Sequence, residues 1–262
     1  MSNSALHVAR TGLDAQAARM RVIANNLANV NTTAYKRDRA EFQTLAYQTQ
    51  VAAGANAGGD NQYAVGLNLG TGVQMTGTAR INTQGTLSTS DNPLDLAIEG
   101  EGFFQVAKPD GTTAFTRAGN FHLSAEGQIV TSSGLPLQPA IQVPDGASSI
   151  TIGTDGTVTA QMPGQADPTE VGRIEIARFV NPAGLQALGD NLYAATAASG
   201  TAQTGQPASE GRGAIRQGAL EGSNVNIVQE LVDMIETQRA FEVNSKMVSA
   251  MDEMLRNANQ QM

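Results

Sequence analysis

The stretch ANNLANVNTTAYKR (residues 24–37) stands where one structural regime gives way to another. Before it, Leu6, Leu13, Met20 and Leu27 recur every seven residues, and Ala9, Gln16, Ile23 and Val30 recur three residues later. That spacing predicts a helix with one narrow apolar stripe. The stripe fits two situations: a partner helix in a coiled coil, or an amphipathic helix lying on its own domain. Four asparagines, at 25, 26, 29 and 31, then crowd the last turns. Asparagine competes for backbone hydrogen bonds and is a poor helix-interior residue, so Asn29 and Asn31 are expected to finish the helix.

The other end of the chain repeats the pattern. Ile227, Met234, Phe241, Val248 and Leu255 are also seven apart, and Val228, Leu231, Ile235, Met247, Met251 and Met254 widen the stripe into a band. A helix apolar over that much surface needs more than one neighbour. Its start is expected at Asn226, with Gln229 placed to return a bond from the third helical position. Glu230 and Asp233 follow in the first turns, where the helix dipole favours anions.

Between the ends the period changes to that of strands. LDLAIEGEGFFQV (residues 94–106) and RIEIARFV (residues 173–180) are rich in β-formers. Turn signals recur at Pro109-Asp110-Gly111, Glu126-Gly127, Ser133-Gly134, Pro144-Asp145-Gly146 and Asp155-Gly156. SITIGTDGTVTA (residues 149–160) predicts a hairpin turning at Asp155-Gly156. The expected fold is mainly β with long terminal α-helices that pair as a coiled coil, around a central all-β domain of sandwich or barrel type. The expected segments are 1–45 (helical), 46–72 (connector), 73–219 (β, with a linker at 197–213) and 220–262 (helical). Both connectors are poor in large apolar groups and cannot nucleate a core alone.

Composition removes several function classes. Aromatic residues are only 4% and Trp is absent, while Gly is 28 of 262, numbers that suit short strands and tight turns better than one dense core. With no cysteine, disulfides, thiolate nucleophiles and cysteine zinc sites are ruled out. A formal charge of -8 and a pI near 4.7 argue against nucleic acid. The charge is uneven: residues 1–45 hold six basic and three acidic groups, residues 220–262 three and seven, so the two ends are electrostatically complementary. No apolar run approaches the ~20 residues that span a bilayer. Arg10 and Asp14 fall where a cleaved signal peptide needs its apolar stretch, so export without one is expected.

Candidate chemistry is sparse. Gly100 and Gly102 in EGEGFF lack the third glycine and following helix of a phosphate loop and read as a strand connection. His7 and His122 stand alone in sequence, without the spacing of a zinc site or a catalytic triad. Asp110, Asp145 and Asp155 precede glycines but lack the further acidic ligands of a calcium loop. No catalytic, cofactor or metal residues are assigned, and no small-molecule substrate is expected. A carboxylate pair for sugar hydrolysis is left open by sequence alone. Two other classes also stay open: a secreted β-rich enzyme acting on polysaccharide, and a surface adhesin or phage-tube-like binding module.

GLDAQAARMRVIANNLANVNTTAYKR (residues 12–37) resembles the N-terminal signature of bacterial flagellar rod and hook proteins. LEGSNVNIVQELVDMIETQRAFEVNSKMVSAMDEML (residues 220–255) resembles their C-terminal signature, and LDLAIEGEGFFQV, FTRAGNFHLSAEGQIVTSSGLPLQP and NPAGLQALGDNLY resemble their shared β region. Within that family EFQTLAYQTQ, VGLNLGTGVQ and VNIVQELVDMIETQRAFEVNSK look most like the distal-rod branch, with the proximal rod proteins as runners-up. The hook protein would carry a further outer domain. One departure stands out: Ala34 occupies a position that is commonly glycine in this family.

The resemblance implies a structural protein of the flagellar basal body, exported by the flagellum-specific type III apparatus and polymerised into a periplasm-spanning helical tube. The terminal helices would line the tube, disordered in free subunits, and the segment near residues 46–65 would stiffen it. Implied partners are further copies of the chain, other rod proteins, the hook protein, the L- and P-ring bushing proteins and the export apparatus. Subunit contacts are expected at Leu6, Leu13, Met20, Ile23, Asn25, Asn26 and Leu27 of the first helix. On the second they are expected at Ile227, Leu231, Met234, Gln238, Arg239, Phe241, Val248 and Leu255. Asn25 and Asn26 would supply polar contacts between packed subunits, their amides bonding where leucine could only seek burial.

Overall fold

The protein was analysed as a computed structural model, which describes residues 2–54, 56–58, 61–62, 64–164 and 167–260. It is mainly β, with one long helix near each end: α1 (Ser2–Ala28) and α2 (Ile227–Gln260). The chain forms two compact units. One comprises residues 1–28, 38–79 and 226–262, the other residues 29–37 and 80–225. Among the described residues no helix is long and apolar enough to cross a membrane.

In the helical unit, α1 and α2 pack antiparallel. Gly12 faces Asn244, Arg19 Nη2 lies 3.6 Å from Asp233 Oδ1, and Asn26 Nδ2 lies 3.2 Å from Glu230 Oε2. Positions rise along one helix as they fall along the other. Within the segment expected as a connector, Tyr47–Val51 pairs antiparallel with Leu67–Gly70. The ladder satisfies the backbone groups there although the side chains supply little burial. Positions 55, 59–60 and 63 of that segment lie outside the described residues.

The β unit is built on a seven-stranded antiparallel sheet. Its order is Gln186–Gly189, Leu192–Ala194, Thr113–Thr116, Phe103–Ala107, Ile176–Arg178 and Gln203–Gly205, with Leu137–Gln138 also pairing Phe103–Ala107. The predicted hairpin is present as Ser149–Ile152 against Thr157–Gln161, and Thr169–Arg173 extends it to three strands. All five expected turn glycines, 111, 127, 134, 146 and 156, have positive φ.

Consecutive phenylalanines show how few rings suffice. Side chains alternate across a strand, so Phe104 enters one core with Leu96, Ile98, Phe121, Ile174 and Ile176. Phe103 enters a second with Phe115, Phe179 and Tyr193. Edge-to-face contacts join Phe104 to Phe121 at 5.2 Å and Phe115 to Phe179 at 4.8 Å. Five of the seven phenylalanines thus lie in the β unit, and the low average conceals a local concentration.

Ala34 is fully buried with φ +58°, the left-handed conformation that glycine favours. Its N–H donates to the Glu221 carbonyl at 2.7 Å, which fixes the turn. Removing the methyl relieves about 1 kcal/mol of backbone strain but forfeits about 0.8 kcal/mol of burial. Ala34→Gly is therefore expected to unfold within about 0.5 kcal/mol of the parent in denaturant titration. Ala34→Val, β-branched at positive φ, is expected to lose more than about 2 kcal/mol.

Candidate assembly surface

The face that α1 turns toward α2 is set by Gly12, Arg19 and Asn26, which are seven residues apart. The leucine-containing stripe lies one residue further on, rotated by about 100°. Leu6, Leu13, Met20 and Leu27 are accordingly only half-buried, whereas Ala9, Ala15, Ala18, Ile23 and Asn26 are buried. Small residues allow close approach, and polar partners hold the register.

Asn26 is the most constrained member. It is 1% exposed, its Nδ2 donates to the Asp38 carbonyl at 2.9 Å, and its Oδ1 accepts the Asp38 N–H at 3.0 Å. Its amide thus completes a local backbone pairing besides reaching Glu230. This differs from the expected contact with another subunit: a side chain so enclosed by its own chain has no surface to offer. Asn25 is exposed, and Asn29 closes the turn after α1, accepting from Thr32 through both its backbone and its side chain.

Along α2 the buried or half-buried positions are Glu230, Asp233, Met234, Thr237, Ala240, Asn244, Val248 and Met251. At about 100° per residue these fall on one side. Val228, Leu231, Val232 and Ile235 fall on the opposite side and Ile227 at its flank, and all are exposed, Val228 by 71%. Gln238, Arg239 and Phe241 are exposed as well, as are Val243, Met247 and Met254; the side chain of Leu255 lies outside the described residues. The helix therefore uses a mixed polar and apolar stripe for its own chain and leaves many of its apolar residues uncovered. Contiguous exposed apolar faces are uncommon on single soluble chains.

Asn226 caps α2 as expected, its Oδ1 accepting the N–H groups of Val228 at 3.0 Å and Gln229 at 3.3 Å. The expected return bond is replaced: Gln229 Nε2 reaches Asp233 Oδ1 at 3.4 Å. Asn226→Ala is expected to cost about 1 kcal/mol, seen as faster amide exchange over residues 227–231 with the rest of α2 unchanged.

The β unit contains a buried ion cluster that sequence reading missed. Glu221, with a fully buried side chain, accepts from Lys36 Nζ, from the Gly85 N–H at 3.0 Å and from Arg117 Nε at 3.0 Å. Arg117 also donates to the carbonyls of Gly100 and Gly102, both at 2.7 Å. The EGEG turn, which superficially suggests a phosphate loop, thus presents carbonyls to a guanidinium. Beside it, Asn224 Oδ1 accepts the Arg37 N–H at 2.7 Å, and its Nδ2 donates to the carbonyls of Ile81 at 2.8 Å and Thr83 at 3.0 Å. Residues 33–37 and 221–224, the stretches adjoining the two terminal segments, are held together inside this unit. Burial pulls the Lys36 ammonium below its ordinary value, more strongly than the Glu221 charge raises it.

Other candidates for chemistry are occupied by structural contacts. Asp95 accepts from Ser90 Oγ and from Asn92 Nδ2. Asp155 accepts from Thr157 N and Oγ1 within its turn. Among the described residues no cluster of His, Asp and Glu could hold a metal ion.

Comparison with known proteins agrees with this arrangement. Three family models match: "Flagella basal body rod protein" over residues 6–36, "Flagellar hook protein FlgE/F/G D1 domain" over 97–160, and "Flagellar basal body rod FlgEFG protein C-terminal" over 216–261. The chain is 48% identical over 255 residues to the flagellar basal-body rod protein FlgG of Buchnera aphidicola subsp. Acyrthosiphon pisum, covering 97% of this chain and 98% of the relative. It is 46% identical to that of Caulobacter vibrioides, covering 98% of each. The FlgF rod protein of Caulobacter vibrioides is more distant, at 35% over 90% of this chain and 89% of its own.

Proposed function

Given that the chain belongs to the FlgG family of flagellar basal-body rod proteins, we propose that it polymerises through its terminal helices into a helical tube. The chain is a structural subunit of the distal rod and not an enzyme. The tube would transmit motor torque across the periplasm to the hook and enclose the export channel. In it α1 and α2 form a coiled-coil layer, and further contacts go to other rod proteins, the hook protein, the ring bushings and the export apparatus. Delivery is by the flagellar export apparatus without a cleaved signal peptide.

The observation that carries this reading is the apolar face of α2 opposite its own intramolecular seam. Fully burying each such side chain contributes about 1.5–3 kcal/mol. Association costs about 4–15 kcal/mol in lost freedom, so contacts with several neighbours at once outweigh it where one isolated contact does not. Leu6, Leu13, Met20, Ile23 and Leu27 of α1, with Ile227, Leu231, Met234, Gln238, Arg239, Phe241, Val248 and Leu255 of α2, form the proposed contact set. Asn25 contributes a polar contact, while Asn26 holds α1 in place from within the chain.

Electron microscopy of envelopes from cells lacking the chain tests the assignment. The rod reading predicts loss of hook and filament with inner ring structures retained. Intact filaments would contradict it and favour an enzyme or adhesin.

A further inference from the structure

A cavity of about 260 Å³ opens beside the buried ion cluster of the β unit. Lys36 and Arg117 line it, together with Asn82, the turn at Gly100 and Gly102, and Phe103. Both cationic side chains are nearly enclosed, 2% and 6% exposed, and both hold the one carboxylate of Glu221, so they stand side by side. The space is several times the ~30 Å³ share of one water.

Hydrogen-bonding capacity is left over there. Lys36 Nζ carries three hydrogens and gives two, to the Thr83 carbonyl at 2.8 Å and to Glu221 Oε1. Arg117 gives its Nε–H to Glu221, its Nη1 hydrogens to the carbonyls of Gly100 and Gly102, and one Nη2 hydrogen to Gly100 at 2.8 Å, which leaves the other Nη2 hydrogen unused. The side-chain amide of Asn82 bonds to none of the described residues.

Charge is left over as well. Glu101 also lines the cavity, but Arg178 Nε holds its carboxylate at 2.8 Å. Lys36, Arg117 and Arg178 thus face the carboxylates of Glu221 and Glu101, one positive charge in excess among these five groups. Water can satisfy unused donors, but a charge held away from bulk solvent stays costly until it is paired. The lowered pKa of Lys36 agrees: burial outweighs the attraction of Glu221.

We propose that this cavity is a carboxylate-binding site, with Lys36, Arg117 and Asn82 as its donors. A carboxylate matches the excess with a single negative charge, and its two oxygens accept from several N–H groups at once. A dianion would reverse the imbalance. The carboxylate has two sources: a free small acid, or an acidic side chain of a second copy of the chain.

Titration of the full-length single chain with sodium acetate, against sodium chloride at matched ionic strength, tests the site. The backbone amides of Gly100, Gly102 and Phe103 are followed by nuclear magnetic resonance, with those of Ile174 and Ile176 as controls for the fold. Acetate is expected to give saturable shifts of the lining amides and chloride none. Asn82→Leu, which removes an amide that bonds to nothing else and fills the space, is expected to weaken acetate binding by about tenfold, as for one lost hydrogen bond to a charged group. Absence of saturation, an equal response to chloride, or a variant that binds as the parent does would overturn the proposal. Seeded elongation then separates the sources. If a second copy supplies the carboxylate, acetate slows elongation of the parent and Asn82→Leu elongates slowly without it; if a free acid does, both elongate at the parent's rate. Failure of the unmodified chain to elongate would contradict the rod reading, and the titration would still decide the site.

Discussion

Phe241→Asp is expected to abolish polymerisation while leaving the β unit folded. Phe241 is the only aromatic residue of α2, and it is 38% exposed in the single chain, so part of its apolar area is available to neighbours. Aspartate removes that apolar area and places a carboxylate in each copy of a repeated interface. Burying an unpaired charge costs several kcal/mol, approximated for a protein site as more than about 3 kcal/mol per contact. That corresponds to more than a hundredfold loss of elongation at a given subunit concentration. Seeded elongation followed by light scattering measures it, with circular dichroism and core amide exchange as folding controls. Leu27→Asp is also expected to block assembly, but Leu27 is half-buried in its own chain, so its effect mixes assembly with local packing. Phe241 is the more exposed of the two positions. Normal elongation of the Phe241 variant would remove α2 from the assembly surface.

Glu221→Gln is expected to produce the largest loss in the stability of the β unit. The carboxylate is enclosed with Lys36, Arg117 and the Gly85 N–H. Removing its charge leaves two cations facing each other in a desolvated site, a change that costs about 3–5 kcal/mol. Denaturant titration should show it as a lower midpoint at unchanged slope. Lys36 supplies a second signature. Its folded-state pKa is lowered from 10.5, so over the window below that value the unfolded chain binds more protons and stability rises with pH. Loss of Glu221 removes the opposing attraction, so the variant should recover stability more steeply than the parent as pH approaches 10.5. A loss under about 1 kcal/mol with no added pH dependence would mean that the cluster relaxes or hydrates when broken.

Local features of the fold were legible because their causes are local. Asp155-Gly156 predicts its hairpin since only glycine takes that conformation readily, and Asn226 predicts the start of α2 through its own side-chain oxygen. The family signatures likewise lie in contiguous strings at both ends. Ala34 shows a departure from the family pattern accommodated in place: it stands where glycine is common, and the turn there has positive φ.

What sequence left obscure depends on residues far apart in the chain. Nothing near Lys36 announces Arg117 or Glu221, and the strand connection at Gly100 and Gly102 gives no sign in sequence that its carbonyls hold a guanidinium. The helix seam was obscured for another reason. Heptad spacing reports which residues want burial, not which neighbour buries them, and Leu6, Leu13, Met20 and Leu27 remain half-covered while Gly12, Arg19 and Asn26 face α2. Because polar residues take several of the seam positions, Val228, Leu231, Val232 and Val243 of α2 stay exposed in the single chain.

Amide hydrogen exchange of α1 and α2, compared between dilute single chains and assembled rods, tests the central claim most directly. The account predicts that residues 227–254 are weakly protected in the single chain and become protected by orders of magnitude more on assembly, while the strands around Phe104 and Ile176 stay equally protected in both. Equal protection of α2 in the two states would mean that the helix is already satisfied by its own chain, and would contradict a rod built through that face.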